Sequence, residues 1–287
     1  MNLLLETRRP MPGGPVGFQE FAPSSPLRAH VACFWTGVFG SAESLPYTHR
    51  VLPDGCVDII FILNARSPKA VVIGPMLQPR LVVSRPNRDI GVRFYPTAAL
   101  AFLRHSLATL QERVVPLDEF CGPDSSRLLE QLLVARGFAS QVAVIETWLL
   151  ARLRRSATPD PHVVQAVKWT YAERGRLQVR QLAKTVGLCE RQLRRKFPVW
   201  TGYTPKQFVR VLRFQHALDA LNRARERDDA TVAAMHGYAD QAHMIHEFHE
   251  LGGDAPGRFR RLRHGGAEEC PIFSILTPGT LRYHREP

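Results

Sequence analysis

The residues best placed for chemistry lie between Gln178 and Arg213, and the chemistry they suit is recognition of DNA. At ~100° per residue on a helix starting near Cys189, the side chains of Cys189, Leu193 and Phe197 share one side. Arg191 and Arg195 fall on the other side, with Arg194 beside them. A helix that buries one face and presents arginines on the other suits the major groove. There an arginine bonds guanine through two parallel contacts, worth ~1–3 kcal/mol of discrimination. From Arg176 to Arg213 the chain carries ten basic residues against one acid, Glu190. A solvated arginine face is the ordinary alternative for any one amphipathic helix. The turn glycine, the apolar spacing and the one-sided charge together argue against it.

Those arginines need a scaffold, and the surrounding residues supply one. The stretch reads as a short helix, a glycine turn, a second helix and a long supporting helix. Leu182, Val186, Leu188, Leu193 and Phe197 have the spacing to close a small core. Gly187 falls where a helix-turn-helix needs a residue that tolerates positive φ.

In this pattern the stretch resembles the DNA-binding domain of the AraC/XylS transcription regulators. The matching residues of the first unit are Leu182-Ala183, Gly187, Arg191, Leu193, Arg195, Phe197, Gly202, Thr204-Pro205, Phe208, Arg213 and Ala217. A second unit matches through Gly237-Tyr238, Asp240 to His243, Phe248, Gly253, Pro256 and Phe259-Arg260. The resemblance runs from Pro161 to Arg263 and implies two helix-turn-helix units joined by a long helix. It implies base contacts from Arg191, Arg194 and Arg195 in the first unit and from Gln241 and His246 in the second. Arg180, Lys184 and Lys196 are implied as phosphate contacts. Four positions depart from the family pattern: Cys189 stands for a serine, Pro198 follows the helix phenylalanine, Ile245 stands where a small polar residue is common, and His246 replaces an arginine. A proline removes one helix hydrogen bond and clashes one turn back, so the recognition helix is expected to stop or bend at Pro198. From His216 to Arg263 there are seven basic and eight acidic residues, so the first unit is expected to dominate affinity.

Composition agrees. The chain has 287 residues, 45% of them hydrophobic, with a net charge of +12, which favours nucleic acid or another anionic partner. Five widely spaced cysteines with no CxxC pair give neither a zinc ribbon nor a disulfide framework, and a reducing cytoplasm fits. The leucine run at the N-terminus is far short of a signal sequence. No stretch reaches the ~18–20 apolar residues that span a bilayer.

The N-terminal half reads differently. ACFWTGVF, VDIIFIL, AVVIG, RLVVS and DIGVRF are short β-branched or aromatic runs bounded by turn residues, which argue for a β-sandwich or small barrel. Pro53-Asp54-Gly55 is a turn leading into a buried strand. HRVLPDGCVDIIF, the later GPM and GVRFYPTAALAFL resemble the cupin-like N-terminal domain of one subgroup of these regulators, from about Phe18 to Leu117. A short helix is expected over Ser25 to Val31. Beyond Pro96 the pattern becomes helical. The last of these helices carries Val142, Ile145, Leu149 and Leu153 (or Trp148) as a stripe. Packing on the β domain and homodimerisation both explain it.

The expected fold is α+β and multidomain. Residues 1–155 would form a β-rich sensor or dimerisation domain with C-terminal helices. Residues 156–264 would form the DNA-binding domain, with units at about 178–199 and 229–250, and 265–287 a tail. Asp160 as N-cap and Pro161 at the first helical position mark the start of the second domain. Residues Met1 to Gly17 are expected to be poorly ordered. The expected function is a cytoplasmic, sequence-specific transcription regulator, an activator touching RNA polymerase and answering to a small molecule. A non-specific architectural DNA binder is one alternative, and a cupin-type enzyme fused to a DNA-binding domain is another. The strand-rich part has His30 and His49 but no HxH pair, and no GxSxG elbow occurs, so no catalytic residue, metal or cofactor is assigned. His243, His246 and His249 follow at three-residue spacing on one helix, and packing is preferred there to a metal site. Cys189 is expected to pack in the core.

Overall fold

A computed structural model describes residues 19–39, 47–63, 66–84, 87–103, 105–156, 158–223, 228–262 and 272–273. The expectations for Met1 to Gly17 and for most of the tail lie outside the described residues.

The N-terminal half is antiparallel β structure, as its short alternating runs require. Strands β1 (Gln19–Phe21), β2 (Val31–Phe39), β4 (Val57–Ile62), β5 (Lys69–Ile73), β7 (Asn87–Phe94) and β8 (Val114–Pro116) form one six-stranded sheet in the order β1-β2-β7-β4-β5-β8. Strands β3 (Tyr47–Val51) and β6 (Arg80–Ser84) pair antiparallel in a second sheet, and β9 (Ile272–Phe273) adds to β3 in parallel. The tail therefore returns to the β domain at this pair. Ser25–Leu27 is a single 3-10 turn, not the start of a helix to Val31. Val31 already pairs with Phe94 in the sheet, and that pairing overrides the local helical pattern.

Helices α1 (Ala99–Leu103), α2 (Asp118–Cys121), α3 (Pro123–Val134) and α4 (Phe138–Leu153) follow the strands. The sheet residues Phe34, Val57, Ile59, Phe61, Ile90, Val92 and Phe94 share one core with Phe102, Leu128, Leu132, Ile145 and Leu149. The stripe on α4 thus packs on the β domain through Ile145 and Leu149, with Val142, Trp148 and Leu153 partly buried against the same core.

The C-terminal half is helical: α5 (Pro161–Ala172), α6 (Val179–Thr185), α7 (Glu190–Thr201), α8 (Pro205–Arg223), α9 (Asp229–Met235), α10 (Gln241–Gly252) and α11 (Pro256–Leu262). Asp160 caps α5, its carboxylate accepting from the His162 and Val163 amides at 3.0 and 3.4 Å. The second core gathers Leu182, Leu193, Phe197, Phe208, Phe214, Phe248 and Phe259 around α8. It also contains Leu52, which comes from the β domain and is fully buried there.

The turn that delivers Leu52 is held by a buried charge network. The Arg93 guanidinium donates to Asp54 at 2.6 Å and to both oxygens of Asp58 at 3.1 and 2.9 Å. The Trp35 indole N–H also donates to Asp58, at 3.2 Å, and the Cys56 amide donates to Asp54, at 2.9 Å. Removing one member of a buried charge network strands its partners at ~3–5 kcal/mol. Arg93→Met should cost that much in urea unfolding of the full chain; a loss under about 1 kcal/mol would show the network to be dispensable.

Candidate DNA-binding surface

Each unit is a short helix, a glycine turn and a longer helix. In the first, α6 ends in a turn at Gly187 with φ +71°, and α7 begins at Glu190. In the second, α9 ends before Gly237 with φ +75°, and α10 begins at Gln241. Asp240 caps α10 by accepting from the His243 amide at 2.7 Å.

Helix α7 runs unbroken from Glu190 to Thr201, through Pro198. The expected stop at the proline does not occur. Leu193, Phe197 and Thr201 are buried along one side, and the Thr201 hydroxyl donates to the Phe197 carbonyl at 2.9 Å. Packing outweighs the one lost backbone bond. Arg191, Arg194 and Arg195 all lie N-terminal to Pro198 and all are exposed. Cys189 is exposed as well, contrary to its expected core position. It precedes the first helical residue, where the backbone is extended, so helical periodicity does not place its side chain. Its amide donates to the Gln192 side chain at 3.0 Å, which supplies half of a capping box without the family's serine.

The charge of this surface is smaller than a count of basic residues suggests. Arg194 pairs with Glu190 one turn back. Lys196 donates to Asp160 at 2.6 Å. Burial alone would raise the Asp160 carboxyl, but Lys196 and the two capping amides outweigh it and hold it below its ordinary range. Arg210 and Arg213 turn inward to Glu247, with Nε–Oε1 at 2.8 Å for Arg210 and Nη2–Oε1 at 2.6 Å for Arg213. Arg180, Lys184, Arg191 and Arg195 remain exposed, with no hydrogen bond or ion pair among the described residues. With exposed Lys206, and with Arg176, which donates only to backbone carbonyls, they carry the positive field of the first unit.

In the second unit Gln241 is exposed as the first residue of α10, and His246 is exposed one turn further on, with Glu250 at 3.1 Å. His243 is part of the framework. Its Nδ1 accepts from the Ala239 amide at 3.3 Å and its ring stands edge-on to Tyr238 at 5.3 Å between centroids. Among the described residues no group of three His, Cys, Asp or Glu side chains is placed to hold a metal ion. No helix among them is long and apolar enough to cross a membrane.

Sequence reasoning missed Glu247. It is buried on the same side of α10 as Met244, Phe248 and Leu251. A carboxylate on an apolar stripe is itself a signal, because a buried anion requires a buried cation. Here it joins α10 to α8 through two arginines, and the Arg213 guanidinium also lies over the Tyr238 ring at 4.7 Å.

A helix-turn-helix domain family model matches residues 182–262. The C-terminal half therefore carries a helix-turn-helix domain. Residues 19–116 match a second model, described as a domain of unknown function, DUF6597. Among curated proteins none matches the chain. Of solved structures, an AraC-type transcriptional regulator from Chromobacterium violaceum is 23% identical, covering 36% of this chain and 92% of that one at a TM-score of 0.34. The DNA-binding domain of the global transcriptional factor AdpA, in complex with a target DNA, is 21% identical over 36% of this chain and 92% of its own, also at 0.34. ToxT from Vibrio cholerae, bound to an unsaturated fatty acid, is 12% identical, with 78% and 95% covered and a TM-score of 0.40. These are loose likenesses.

The helix-turn-helix domain carries a titrating group on α8. Burial, then the charges of Arg174, His236 and Arg176, push His216 down to about 4. Above pH 6.5 the residue is neutral whether the chain is folded or not. As pH falls from 6.5 towards 4 the unfolded chain takes up a proton that the folded chain refuses, so stability should fall by roughly 1–3 kcal/mol over that window. His216→Gln should flatten that part of a pH series of urea midpoints; an unchanged slope would assign it to other groups.

Proposed function

We propose that the chain is a sequence-specific transcription regulator that sets the N-terminal halves of α7 and α10 into neighbouring major-groove segments of promoter DNA. The observation that carries this is the pairing of exposed Arg191, Arg194 and Arg195 on α7 with exposed Gln241 and His246 on α10, each set projecting from a helix-turn-helix unit. Arginine suits guanine edges and glutamine adenine edges. Arg180 and Lys184 on α6 are proposed phosphate contacts, which set register and affinity without reading sequence. Lys196 would reach phosphate only by leaving Asp160.

The proposed domain division is 1–155, 156–264 and a tail from 265. The β domain is proposed to answer to a small molecule and to pass that state to the DNA-binding domain by a population shift, which requires differential affinity for two arrangements. Activation through contact with RNA polymerase is the proposed output, and promoter DNA as partner places the chain in the cytoplasm. An architectural binder would explain the basic face but gives no reason for two reading helices held in one frame.

Selection of genomic fragments with the full chain at rising salt, followed by footprinting, tests this reading. One site surviving high salt and spanning two adjacent major-groove turns is the expected outcome; uniform, salt-labile binding would leave an architectural protein. On the selected site, Arg195→Ala should cost ~1–3 kcal/mol and relax one base position. Lys184→Ala should weaken all sequences alike and reduce the salt slope by about one phosphate's worth. An unchanged base preference in Arg195→Ala removes that residue from the reading set.

A further inference from the structure

The two reading helices end in the same way and rest on the same piece of the β domain. Helix α7 stops at Gly202 and α10 at Gly253, both left-handed caps with φ of +74° and +77°. A Cβ added at Gly202 would meet Pro75 at 2.3 Å and the Leu107 carbonyl at 2.8 Å. One added at Gly253 would meet Pro79 at 3.0 Å. Pro75 and Pro79 belong to one short connection, residues 74–79, between β5 and β6.

Hydrogen bonds fasten both ends. After α7, the buried Tyr203 hydroxyl donates to the Met76 carbonyl at 2.9 Å, and the Gln111 amide donates to the Gly202 carbonyl at 2.9 Å. After α10, Arg50 on β3 donates to the Gly252 carbonyl at 2.9 Å and to the Asp254 carboxylate at 2.6 Å. The Arg50 and Asp254 side chains are mostly shielded, 15% and 20% exposed, so this ion pair is stronger than a surface one. Strand β3 pairs with β6, which continues the same connection, so the Arg50 and Tyr203 anchors belong to one rigid unit. At 1.5 Å per residue, these anchors sit roughly 17 Å along each helix from its first turn, too far to touch DNA read there.

We infer that residues 74–79 and Arg50 form a splint across the C-terminal ends of the two reading helices, and that the β domain thereby sets which spacing between two DNA elements the chain accepts. This rests on the regulator reading. Tyr203 and Arg50 act as positioning residues for α7 and α10. Helix α8 also joins the two units, through Glu247, through Glu250 in the last turn of α10 and through Phe208 against Tyr203; the splint adds a second hold on the same ends, from the β domain. Any change of state in the β domain that shifts the 74–79 connection moves both helix ends together. The chemistry that selects a promoter is then tuned by a segment with no DNA contact of its own.

Two measurements on the full chain decide the matter. The first needs no DNA. Spin labels on exposed Cys189 and on Ala239→Cys, with Cys121 and Cys270 replaced by serine, report the distance between the starts of α7 and α10. The splint predicts one narrow distribution, broadened roughly twofold by Arg50→Gln with Tyr203→Phe. Restoring the charge with Arg50→Lys in the same background should narrow it again. Unchanged distributions in the folded double variant overturn the proposal. The second measurement uses the duplex selected by the wild-type chain and versions with one base pair added or removed between the footprinted segments. The double variant should lose about tenfold of the wild-type preference for the selected spacing, at 1.4 kcal/mol per tenfold. Equal losses at every spacing would mark simple destabilisation and also overturn it. Should the wild-type chain select no DNA at all, the regulator reading fails, and the label distances still judge the splint as a mechanical element.

Discussion

A guanidinium shut between two carboxylates fixes how the halves of this chain meet. Arg93 stands on the central strand β7, and Asp54 and Asp58 flank the start of β4. Burying three charges is tolerable only with near-complete hydrogen bonding, and here Trp35 and the Cys56 amide supply the remaining partners. The geometry that satisfies Asp54 also shapes the Pro53-Asp54-Gly55 turn. That turn sends Leu52 into the helical core, offers the Pro53 carbonyl to Gln215 on α8, and brings Gly55 against the Phe208 ring. A polar network inside one domain thus determines an apolar contact inside the other.

Glu247 does for the helical domain what Arg93 does for the β domain, with the signs reversed. One buried anion is shared by two arginines of the connecting helix, so the second unit is locked to α8 by directional bonds in addition to apolar packing. Two arginines that a sequence count assigns to the DNA field are spent on internal structure. Lys196 is drawn away from the surface in the same manner by Asp160, the residue that also caps α5. Net charge therefore overstates the electrostatic attraction of this surface, and position along each helix decides which cations face outward.

Much of this was legible in the sequence because the signals were local. The strand runs of β2, β4, β5, β6 and β7, the Asp160 cap with Pro161, and the turn glycine at 187 each depend on a few neighbouring residues. The expectations that failed depended on tertiary context. Ser25 to Val31 has a helical pattern, yet strand pairing claims Val31. Pro198 reads as a helix breaker, yet Phe197 and Thr201 bury firmly enough to carry α7 past it. Cys189 has the right spacing for the core, yet it precedes the helix that the spacing assumes. The contacts joining the two domains gave no sequence signal, because Arg50, Tyr203 and Gln111 find partners 91 to 204 residues away.

Those separations bear on how the protein is made. The Pro53 turn is synthesised about 160 residues before Gln215 reaches it, and at 5–20 residues per second that is roughly 8–32 s. During this interval the strands can close their own core, while Leu52 and the turn wait without the helices that will cover them. The cost of closing so long a loop grows only with the logarithm of its length, so the finished protein tolerates it, but the nascent chain must spend that time with an apolar residue uncovered. The joint that unites the two domains is therefore also a part of the molecule that needs shelter while it is still on the ribosome.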